Sequence, residues 1–348
     1  MSSPGLSLVE VVDVLRGLGV SRVLLQCAPG LRGDVLDSWC GFLSERGVDV
    51  VVSGSSCWGP CDVAVNECRL FGCDAVLHVG HWWFGCEGGV QVVWFGGVPV
   101  VFAPYFYDLD VGACCGDVVE VVRGRGFRRV LVCCTQQYYP LARYLVSVLR
   151  SCGVDVVCDR VTYLGCEVVN LRQFKGSIDC VVAVSGGYFL GVGFFCVFDG
   201  EVPVIQYDPH SRRFLDVGSV ARRLIGIKLS RLVDLLSRGF ERVGVVVSRK
   251  FGQCRFALAV RVRDFLRSRL RGVRVDLLVF DDVPLEVLDE LPYDVYVNTA
   301  CPRLGLDDVD RLRFKVLLNL GEVKYLISRS ISGYRFSDVF GVPTWLVG

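Results

Sequence analysis

The sequence lacks any apolar run long enough to cross a bilayer, which takes roughly 18–20 consecutive apolar residues. Its longest apolar stretches are interrupted by charges or glycines. The first residues, MSSPGLSLVEVVDVL, are acidic and amphipathic, whereas a secretory signal begins with basic residues and continues into an apolar core. We therefore expect neither a membrane span nor a targeting segment, and we expect the protein to be cytoplasmic.

Net charge is almost absent as well. The chain has 38 Lys and Arg against 37 Asp and Glu, which leaves a formal charge of +1. Proteins that bind nucleic acids or membranes through charge alone carry a polybasic surface. The composition therefore predicts no direct nucleic-acid partner and no membrane partner, so a macromolecular partner must be recognised through shape and local contacts.

The sequence has 18 cysteines but no closely spaced run of three cysteines of the kind that marks the common barrel-type radical enzymes. A small secreted chain with many cysteines would be a disulfide scaffold. This chain has 348 residues, of which 52% are apolar, so most of its cysteines are expected to be small buried apolar residues. Those that lie inside valine-rich strand patterns fit this role: Cys133, Cys134, Cys158 and Cys180.

The chain repeats one pattern three times. Each repeat has an apolar strand, a polar loop and an amphipathic helix, followed by three more apolar strands. Such alternation predicts βαβ units with parallel sheets. We predict an α/β protein of three similar domains, with four-stranded parallel sheets around a pseudo-threefold axis. The predicted domains are residues 1–110, 111–220 and 221–348. The three later strands of the first repeat are predicted near 48–54, 73–81 and 98–105. Those of the second repeat are predicted near 154–165, 178–187 and 202–209, and those of the third near 273–282, 293–301 and 314–321.

Three cysteines follow predicted strands instead of lying inside them: Cys57, Cys166 and Cys301. Loops at the carboxyl ends of parallel strands line the crevice of each unit, and a pseudo-threefold arrangement would let the three loops converge. Thiolate sulfur suits an iron–sulfur cluster or zinc better than it suits hard cations. The spacing between the three cysteines matches no local metal motif, so both kinds of metal site stay open on this basis.

Other candidates have competing interpretations. His78 and His81 form an HxGH pair at a strand end, and we favour hydrogen-bonded residues over metal ligands because zinc would need cysteine or carboxylate partners nearby. Arg249 and Lys250 precede Gly252 in a loop suited to a carboxylate or phosphate at a helix N-terminus, and we favour this over the alternative of a solvated turn. The arginine-rich stretch 261–274 is expected to be a solvated helix face.

The cysteine motifs SGSSCWGPCDVA, TYLGCEV and NTACPRLGLDD resemble those of the archaeal diphthamide synthase catalytic subunit, the 2-(3-amino-3-carboxypropyl)histidine synthase family. The resemblance covers nearly the whole chain. It includes LHVGH at 77–81, TQQYYPLARYL at 135–145, SGGYF at 185–189, YDP at 207–209 and SRKFGQ at 248–253.

The resemblance implies a 4Fe–4S cluster on Cys57, Cys166 and Cys301, with one iron left open for S-adenosylmethionine. It also implies transfer of a 3-amino-3-carboxypropyl group, as a radical, to a histidine of translation elongation factor 2. This is the first step of diphthamide biosynthesis. The family further suggests a homodimer and an external electron donor.

No side-chain acid or base is required for this cleavage, because the electron comes from the cluster. The protein must instead orient S-adenosylmethionine and exclude water from a carbon radical. Small and glycine-rich loops suit that task. The candidate S-adenosylmethionine-binding residues are Ser185, Gly186, Gly187, Asp208, Gly252 and Gln253.

Two alternatives remain at this point. Quinolinate synthase also joins three α/β repeats to a three-cysteine cluster, where the open iron acts as a Lewis acid in a dehydration. The CPRLGLDD motif and the TQQYYP loop argue against it. The other alternative is a non-catalytic partner subunit, which should have lost a cluster cysteine, whereas this chain retains all three.

Overall fold

The structure, a computed structural model, describes residues 4–84, 86–157 and 160–343, so Cys158 lies outside the described residues. The chain forms two compact units. Unit 1 consists of Met1–Gly126 and Val132–Leu164, and unit 2 consists of Phe127–Leu131 and Gly165–Gly348. In the described parts, no helix combines the length and apolar character of a membrane span.

The first sheet lies in unit 1 and has the strand order β2-β1-β3-β5-β4. Its strands are β1 (Arg22–Cys27), β2 (Asp49–Val52), β3 (Ala75–Val79), β4 (Gln91–Phe95) and β5 (Val98–Ala103). The accompanying helices are α1 (Pro4–Gly17), α2 (Arg32–Val35), α3 (Gly41–Ser44), α4 (Val65–Leu70) and α5 (Val111–Gly124), and a π-helical turn at Leu36–Cys40 joins α2 to α3.

The second sheet has five strands: β6 (Arg129–Cys134), β7 (Asp155–Val156), β8 (Cys180–Val184), β9 (Val204–Asp208) and β10 (Arg213–Leu215). Their order is β10-β9-β8-β6-β7, and the division between the two units falls within β6. The helices of this segment are α6 (Tyr139–Ser151), α7 (Phe189–Val197) and α8 (Val217–Arg238).

The third sheet lies in unit 2 and has four parallel strands in the order β12-β11-β13-β14. They are β11 (Arg242–Ser248), β12 (Arg274–Phe280), β13 (Val295–Asn298) and β14 (Val316–Asn319). The helices are α9 (Phe256–Arg269), α10 (Leu285–Glu290) and α11 (Val323–Ser328). The arginine-rich stretch is therefore shorter as a helix than predicted, because α9 ends at Arg269 and Arg274 already begins a strand.

The predicted α/β class is confirmed, with three parallel-dominated sheets. Two of the sheets have one strand more than the predicted four, since β4 and β10 add antiparallel edges. The β4–β5 hairpin closes through Gly96 and Gly97, whose φ angles of 55° and 88° suit a tight turn that few other residues can form. The division into three domains and the pseudo-threefold axis stay predictions.

Valine-rich strands form these sheets because both faces are buried. In β1, Val23 and Leu25 pack into one apolar cluster, while Leu24 points into another on the opposite face. In the third sheet, the neighbouring residues Val245 and Val246 likewise pack into different apolar clusters on opposite faces. The described strand cysteines Cys133, Cys134 and Cys180 are fully buried, as expected for small apolar residues.

An aspartate just before the third strand of each repeat ties that strand to the first. Asp74 accepts hydrogen bonds from the backbone N–H groups of Ser21 and Arg22, each at 2.8 Å. Asp179 accepts the same pair of bonds from the backbone of Arg128 and Arg129. Asp294 accepts them from Glu241 and Arg242. The aspartates therefore fix which residues of the first and third strands pair.

Unit 2 contains a fully buried ion pair between Lys228 of α8 and Glu322, which precedes α11. The Lys228 ammonium donates to both carboxylate oxygens, at 3.0 and 2.8 Å. Glu322 also accepts hydrogen bonds from the Tyr334 hydroxyl at 2.6 Å and the Asn319 backbone N–H at 2.7 Å. Because each oxygen of the carboxylate has two donors, the charge is compensated without water.

We predict that Lys228→Met lowers the free energy of unfolding by about 3–5 kcal/mol, since it leaves the Glu322 charge buried without its counterion. Lys324→Met is the control, because Lys324 is exposed and its partner Asp338 keeps hydrogen bonds from the Tyr325 hydroxyl and the Arg335 N–H. This change should cost less than about 1 kcal/mol. Urea unfolding measures both. Equal losses would contradict a special role for the buried pair.

The hydrogen bonds to Asp74 also predict an acid-sensitive contribution to stability. Backbone N–H donors from Arg22 and Ser21 lower the pKa of the Asp74 carboxyl. Its stabilising contribution is therefore complete above the unfolded-state pKa of about 3.9 and is lost as the pH falls below that value. Asp74→Asn should destabilise the protein at about pH 7, and this difference should shrink at about pH 3.

Urea unfolding at the two pH values measures this effect. The control is Asp37→Asn, at an exposed position in the turn between α2 and α3. It should leave the free energy of unfolding unchanged at both pH values. A difference for Asp74→Asn that does not depend on pH would contradict the role of the carboxylate.

Candidate metal centre

Cys57 lies in the loop between β2 and α4, and its side chain is fully buried. Its sulfur is 3.9 Å from each ring nitrogen of His78, which belongs to β3. His81 follows β3, and its Nδ1 lies 3.0 Å from Nε2 of His78. The donor atoms of Cys57, His78 and His81 all lie within 4.8 Å of one another.

Gln26 of β1 orients the His78 ring. The parallel register of β1 and β3 makes Gln26 and His78 partners, and Gln26 Oε1 lies 3.2 Å from His78 Nδ1. The amide of Gln26 is itself fixed, because its Nε2 donates to the Asp62 carbonyl and its Oε1 accepts from the Ala64 N–H. Since Gln26 Oε1 is an acceptor, Nδ1 of His78 carries a proton.

This hydrogen bonding assigns the tautomers of both histidines. Burial and the neighbouring His81 lower the pKa of His78 well below its ordinary value, and burial lowers the pKa of His81 to about 4. Both rings are therefore neutral at neutral pH. With its proton on Nδ1, His78 presents the Nε2 lone pair to His81, and Nδ1–H of His81 donates to it.

Gly80 shapes the HVGH segment. Its φ is +96°, and a β-carbon at this position would overlap the Leu31 side chain. Glycine therefore lets the chain turn after β3 and bring His81 back to His78.

The predicted hydrogen-bonded role of the two histidines is confirmed. The argument against a metal does not hold, however, because it depended on the absence of a nearby cysteine, and Cys57 lies next to both rings. No spacing in the sequence reveals this arrangement, since Cys57 and His78 belong to different elements and meet only through the sheet.

Trp82 and Trp83, which follow His81, both pack within unit 1. Trp82 is buried edge-on against Tyr139, with ring centroids 5.0 Å apart. Trp83 packs edge-on against Phe95 at 5.3 Å.

Cys301 lies in unit 2 directly after β13, where two asparagines hold its loop. Asn298 and Asn319 are register partners in β13 and β14, and their side chains hydrogen-bond to each other at 2.8 Å. Asn298 Nδ2 also donates to the Cys301 carbonyl at 2.7 Å, and Asn319 Nδ2 donates to the Pro302 carbonyl at 2.6 Å. The position of Cys301 is therefore fixed from both neighbouring strands.

Cys166 directly precedes a 3-10 segment in unit 2 (Glu167–Phe174), and the ring of Phe189 covers Gly165, the residue before Cys166. A β-carbon at Gly165 would overlap this ring, so a larger residue there requires the ring to shift. The guanidinium of Arg303 stacks on the Phe189 ring, 4.0 Å from its centroid. The same guanidinium donates a hydrogen bond to the Phe189 carbonyl. Phe189 therefore touches both cysteine loops of unit 2.

The predicted S-adenosylmethionine residues also lie in unit 2. Ser185 is buried, and both its hydroxyl and its carbonyl accept hydrogen bonds from Gln206. Gly186 and Gly187 are exposed beside it, and Asp208 ends β9. Gly252 is exposed, and Gln253 is buried in the loop after β11. Their predicted role in binding this cofactor stays a prediction.

The cations of the SRKFGQ loop have partners within unit 2. Arg249 forms an ion pair with Asp281, and Lys250 pairs with Asp282 at 2.5 Å. An anionic ligand would have to compete with these carboxylates, which weakens the interpretation of this loop as a preformed anion site.

Sequence reasoning missed three residues that organise the site: Gln26, Phe189 and Arg303. Gln26 could have been suspected as a polar residue inside an apolar strand. Arg303 and Asp307 have the four-residue spacing of an ion pair, which they form here. The convergence of Cys57 in unit 1 with Cys166 and Cys301 in unit 2 stays a prediction.

A family model described as "Putative diphthamide synthesis protein" matches residues 38–335. This range covers most of the chain, which therefore belongs to the family of diphthamide synthesis proteins.

Two archaeal relatives share the name 2-(3-amino-3-carboxypropyl)histidine synthase. The protein from Pyrococcus horikoshii is 29% identical over 96% of this chain and 93% of its own length. The protein from Methanocaldococcus jannaschii is 24% identical over 91% of this chain and 87% of its own length. The crystal structure of Dph2 from Pyrococcus horikoshii with a 4Fe–4S cluster superimposes with a TM-score of 0.77 and 27% identity, over 99% of this chain and 95% of that one.

The packing of Phe189 on Gly165 leads to a test. Gly165→Ala should destabilise the protein by about 1–3 kcal/mol, because the new methyl group overlaps the ring. Adding Phe189→Leu should recover part of the loss, since the smaller side chain leaves room. Thermal and urea unfolding measure both effects.

Gly226→Ala in α8 is the matched control, because a β-carbon there meets nothing within 4 Å. This change should be neutral or slightly stabilising in a helix. If Phe189→Leu recovers nothing in the Gly165→Ala background, the overlap is not the cause of the instability.

Proposed function

We propose that this protein is a 2-(3-amino-3-carboxypropyl)histidine synthase, a transferase that carries out the first step of diphthamide biosynthesis. The observation that carries the proposal is the family match, together with the likeness over almost the full chain to a protein solved with a 4Fe–4S cluster. The acceptor is a histidine of translation elongation factor 2, and the donor of the 3-amino-3-carboxypropyl group is S-adenosylmethionine.

The donor chemistry of this chain fits a cluster held by Cys57, Cys166 and Cys301. Thiolate sulfur is the usual protein ligand of iron–sulfur clusters. Cys57 is fully buried beside His78, which is hydrogen-bonded to His81, so its sulfur lies in a surrounding closed to bulk water. Cys166 and Cys301 lie in loops that Phe189, Asn298 and Asn319 hold in place.

When bound, the cluster supplies one electron to the sulfonium of S-adenosylmethionine, which cleaves the bond from sulfur to Cγ. The chain itself must orient the cofactor and exclude water, and no side chain need act as an acid or base in the cleavage. In this proposal Ser185, Gly186 and Gly187 form one side of the cofactor site. Asp208, Gly252 and Gln253 complete it.

The remaining parts of the proposal follow from the same family. The three repeats, 1–110, 111–220 and 221–348, each contribute one cysteine loop. The protein acts in the cytoplasm as a homodimer and receives its electron from an external donor.

The decisive experiment is anaerobic reconstitution with iron and sulfide, followed by reduction and incubation with S-adenosylmethionine and elongation factor 2. Mass spectrometry should find a 3-amino-3-carboxypropyl addition on one histidine of the factor. The nucleoside product should be 5′-methylthioadenosine, because cleavage at Cγ leaves the methyl group on sulfur. Unmodified factor with 5′-deoxyadenosine as the main nucleoside would refute the proposed cleavage.

Single substitutions test the ligand set. Cys57→Ala, Cys166→Ala and Cys301→Ala should each lower the iron content and the cluster absorbance after reconstitution, because each removes one thiolate. Cys133→Ala and Cys180→Ala are matched controls, since both cysteines are buried in strands, and they should retain the cluster. A full cluster in Cys301→Ala would contradict the three-cysteine site.

A further inference from the structure

The group formed by Cys57, His78 and His81 has the donor composition of a transition-metal site. One thiol and two imidazoles are ligands that Zn²⁺ and related divalent cations prefer. Cys57 and His78 are fully buried, and His81 is half-buried. Among the described residues, this is the one cluster of three histidine, cysteine or carboxylate side chains close enough to share an ion.

The distances agree with tetrahedral coordination. Zinc bonds of about 2.0–2.1 Å to nitrogen and about 2.3 Å to sulfur place two nitrogen ligands about 3.3 Å apart, and a nitrogen and a sulfur about 3.6 Å apart. Here His78 Nε2 and His81 Nδ1 are 3.0 Å apart, and Cys57 Sγ is 3.9 Å from His78 Nε2. All three ligand atoms lie within 4.8 Å of one another, and a rotation of the Cys57 side chain or of the His78 ring would bring them around one ion.

The surroundings of His78 favour the same interpretation. Metal-binding histidines generally donate their second ring N–H to an oxygen acceptor, which fixes the tautomer. Gln26 Oε1 is such an acceptor for Nδ1 of His78, and the backbone of Asp62 and Ala64 holds Gln26 in place. The Nε2 lone pair of His78 therefore faces His81, and Cys57 Sγ lies 3.9 Å from each nitrogen of the same ring.

We propose that Cys57, His78 and His81 form a mononuclear site for a divalent transition metal of the zinc class, with the fourth tetrahedral position open to water. Binding removes the Cys57 thiol proton. The proton of His81 moves from Nδ1 to Nε2, so that both imidazole lone pairs face the ion. One proton is therefore released for each ion bound.

This site is separate from the proposed enzymatic function, but it shares one ligand, Cys57, with the proposed cluster. A thiolate that binds a mononuclear ion is not available to the cluster. The protein therefore has two mutually exclusive metal states at Cys57, and zinc should oppose cluster assembly.

Cobalt is the probe, because four-coordinate Co²⁺ with a thiolate ligand has intense visible bands and a sulfur-to-metal charge-transfer band. Anaerobic titration of the metal-free, reduced full-length chain should saturate this spectrum at one Co²⁺ per chain. Adding Zn²⁺ should bleach it by displacement. Weak bands typical of six-coordinate Co²⁺ alone would overturn the proposal.

Two sets of variants separate this site from the cluster. His81→Ala should lose the four-coordinate Co²⁺ spectrum but still assemble the cluster, since the proposed cluster is held by three cysteines and His81 is not a ligand to it. Cys301→Ala should do the opposite, losing the cluster while binding one Co²⁺ normally. His210→Ala, at the exposed third histidine of the chain, should change neither property.

His81→Gln is a second variant in case the alanine variant does not fold, and circular dichroism checks the fold of each protein. Unchanged Co²⁺ binding in both His81 variants would overturn the site, as would loss of this binding in Cys301→Ala. If wild-type protein binds Co²⁺ as expected but never assembles a cluster, the proposed function fails while the mononuclear site stands.

A competition experiment tests the shared ligand. One equivalent of Zn²⁺ added before reconstitution should lower iron incorporation into the wild-type chain, and removal of the zinc with a chelator should restore it. In His81→Ala the same zinc should have little effect. Equal inhibition of both proteins would show that zinc acts elsewhere.

Discussion

The pairing of the first and third strands of each repeat determines where the candidate functional residues lie. An aspartate just before the third strand accepts hydrogen bonds from two backbone N–H groups at the start of the first strand. These bonds align the two strands at one end. In the first sheet this alignment makes Gln26 and His78 neighbours. A shift of one residue would turn the His78 side chain to the opposite face of the sheet, away from Cys57.

Much of the fold could be predicted from the sequence because parallel, doubly buried strands leave a strong signal of short valine-rich runs between helices. The antiparallel strand β4 also has a signal, the glycine pair before VPVVF, but it falls outside the repeated pattern. The contact between Cys57 and His78 could not be predicted, since it depends on the path of a loop. The same holds for Phe189, because nothing in the local sequence shows which distant backbone its ring will cover.

The two units hold their cysteines in different ways. In unit 1, Cys57 is enclosed beside a polar chain of Gln26, His78 and His81, all of them hydrogen-bonded. In unit 2, Cys166 and Cys301 lie in loops fixed by an aromatic ring, an arginine and two asparagines. The first environment offers two further side chains that could bind a metal, whereas the second offers rigidity, so under the two proposals Cys57 is the position at which the cluster and a mononuclear ion compete.

The contact between Phe189 and Gly165 has a consequence for how this sequence can change in evolution. Because the ring occupies the volume that a β-carbon at position 165 would need, the two positions do not vary independently. A larger residue at 165 requires the ring at 189 to shift or to be replaced by a smaller side chain, and in either case the guanidinium of Arg303 loses the surface on which it stacks. Homologous chains should therefore retain all three residues or exchange them together.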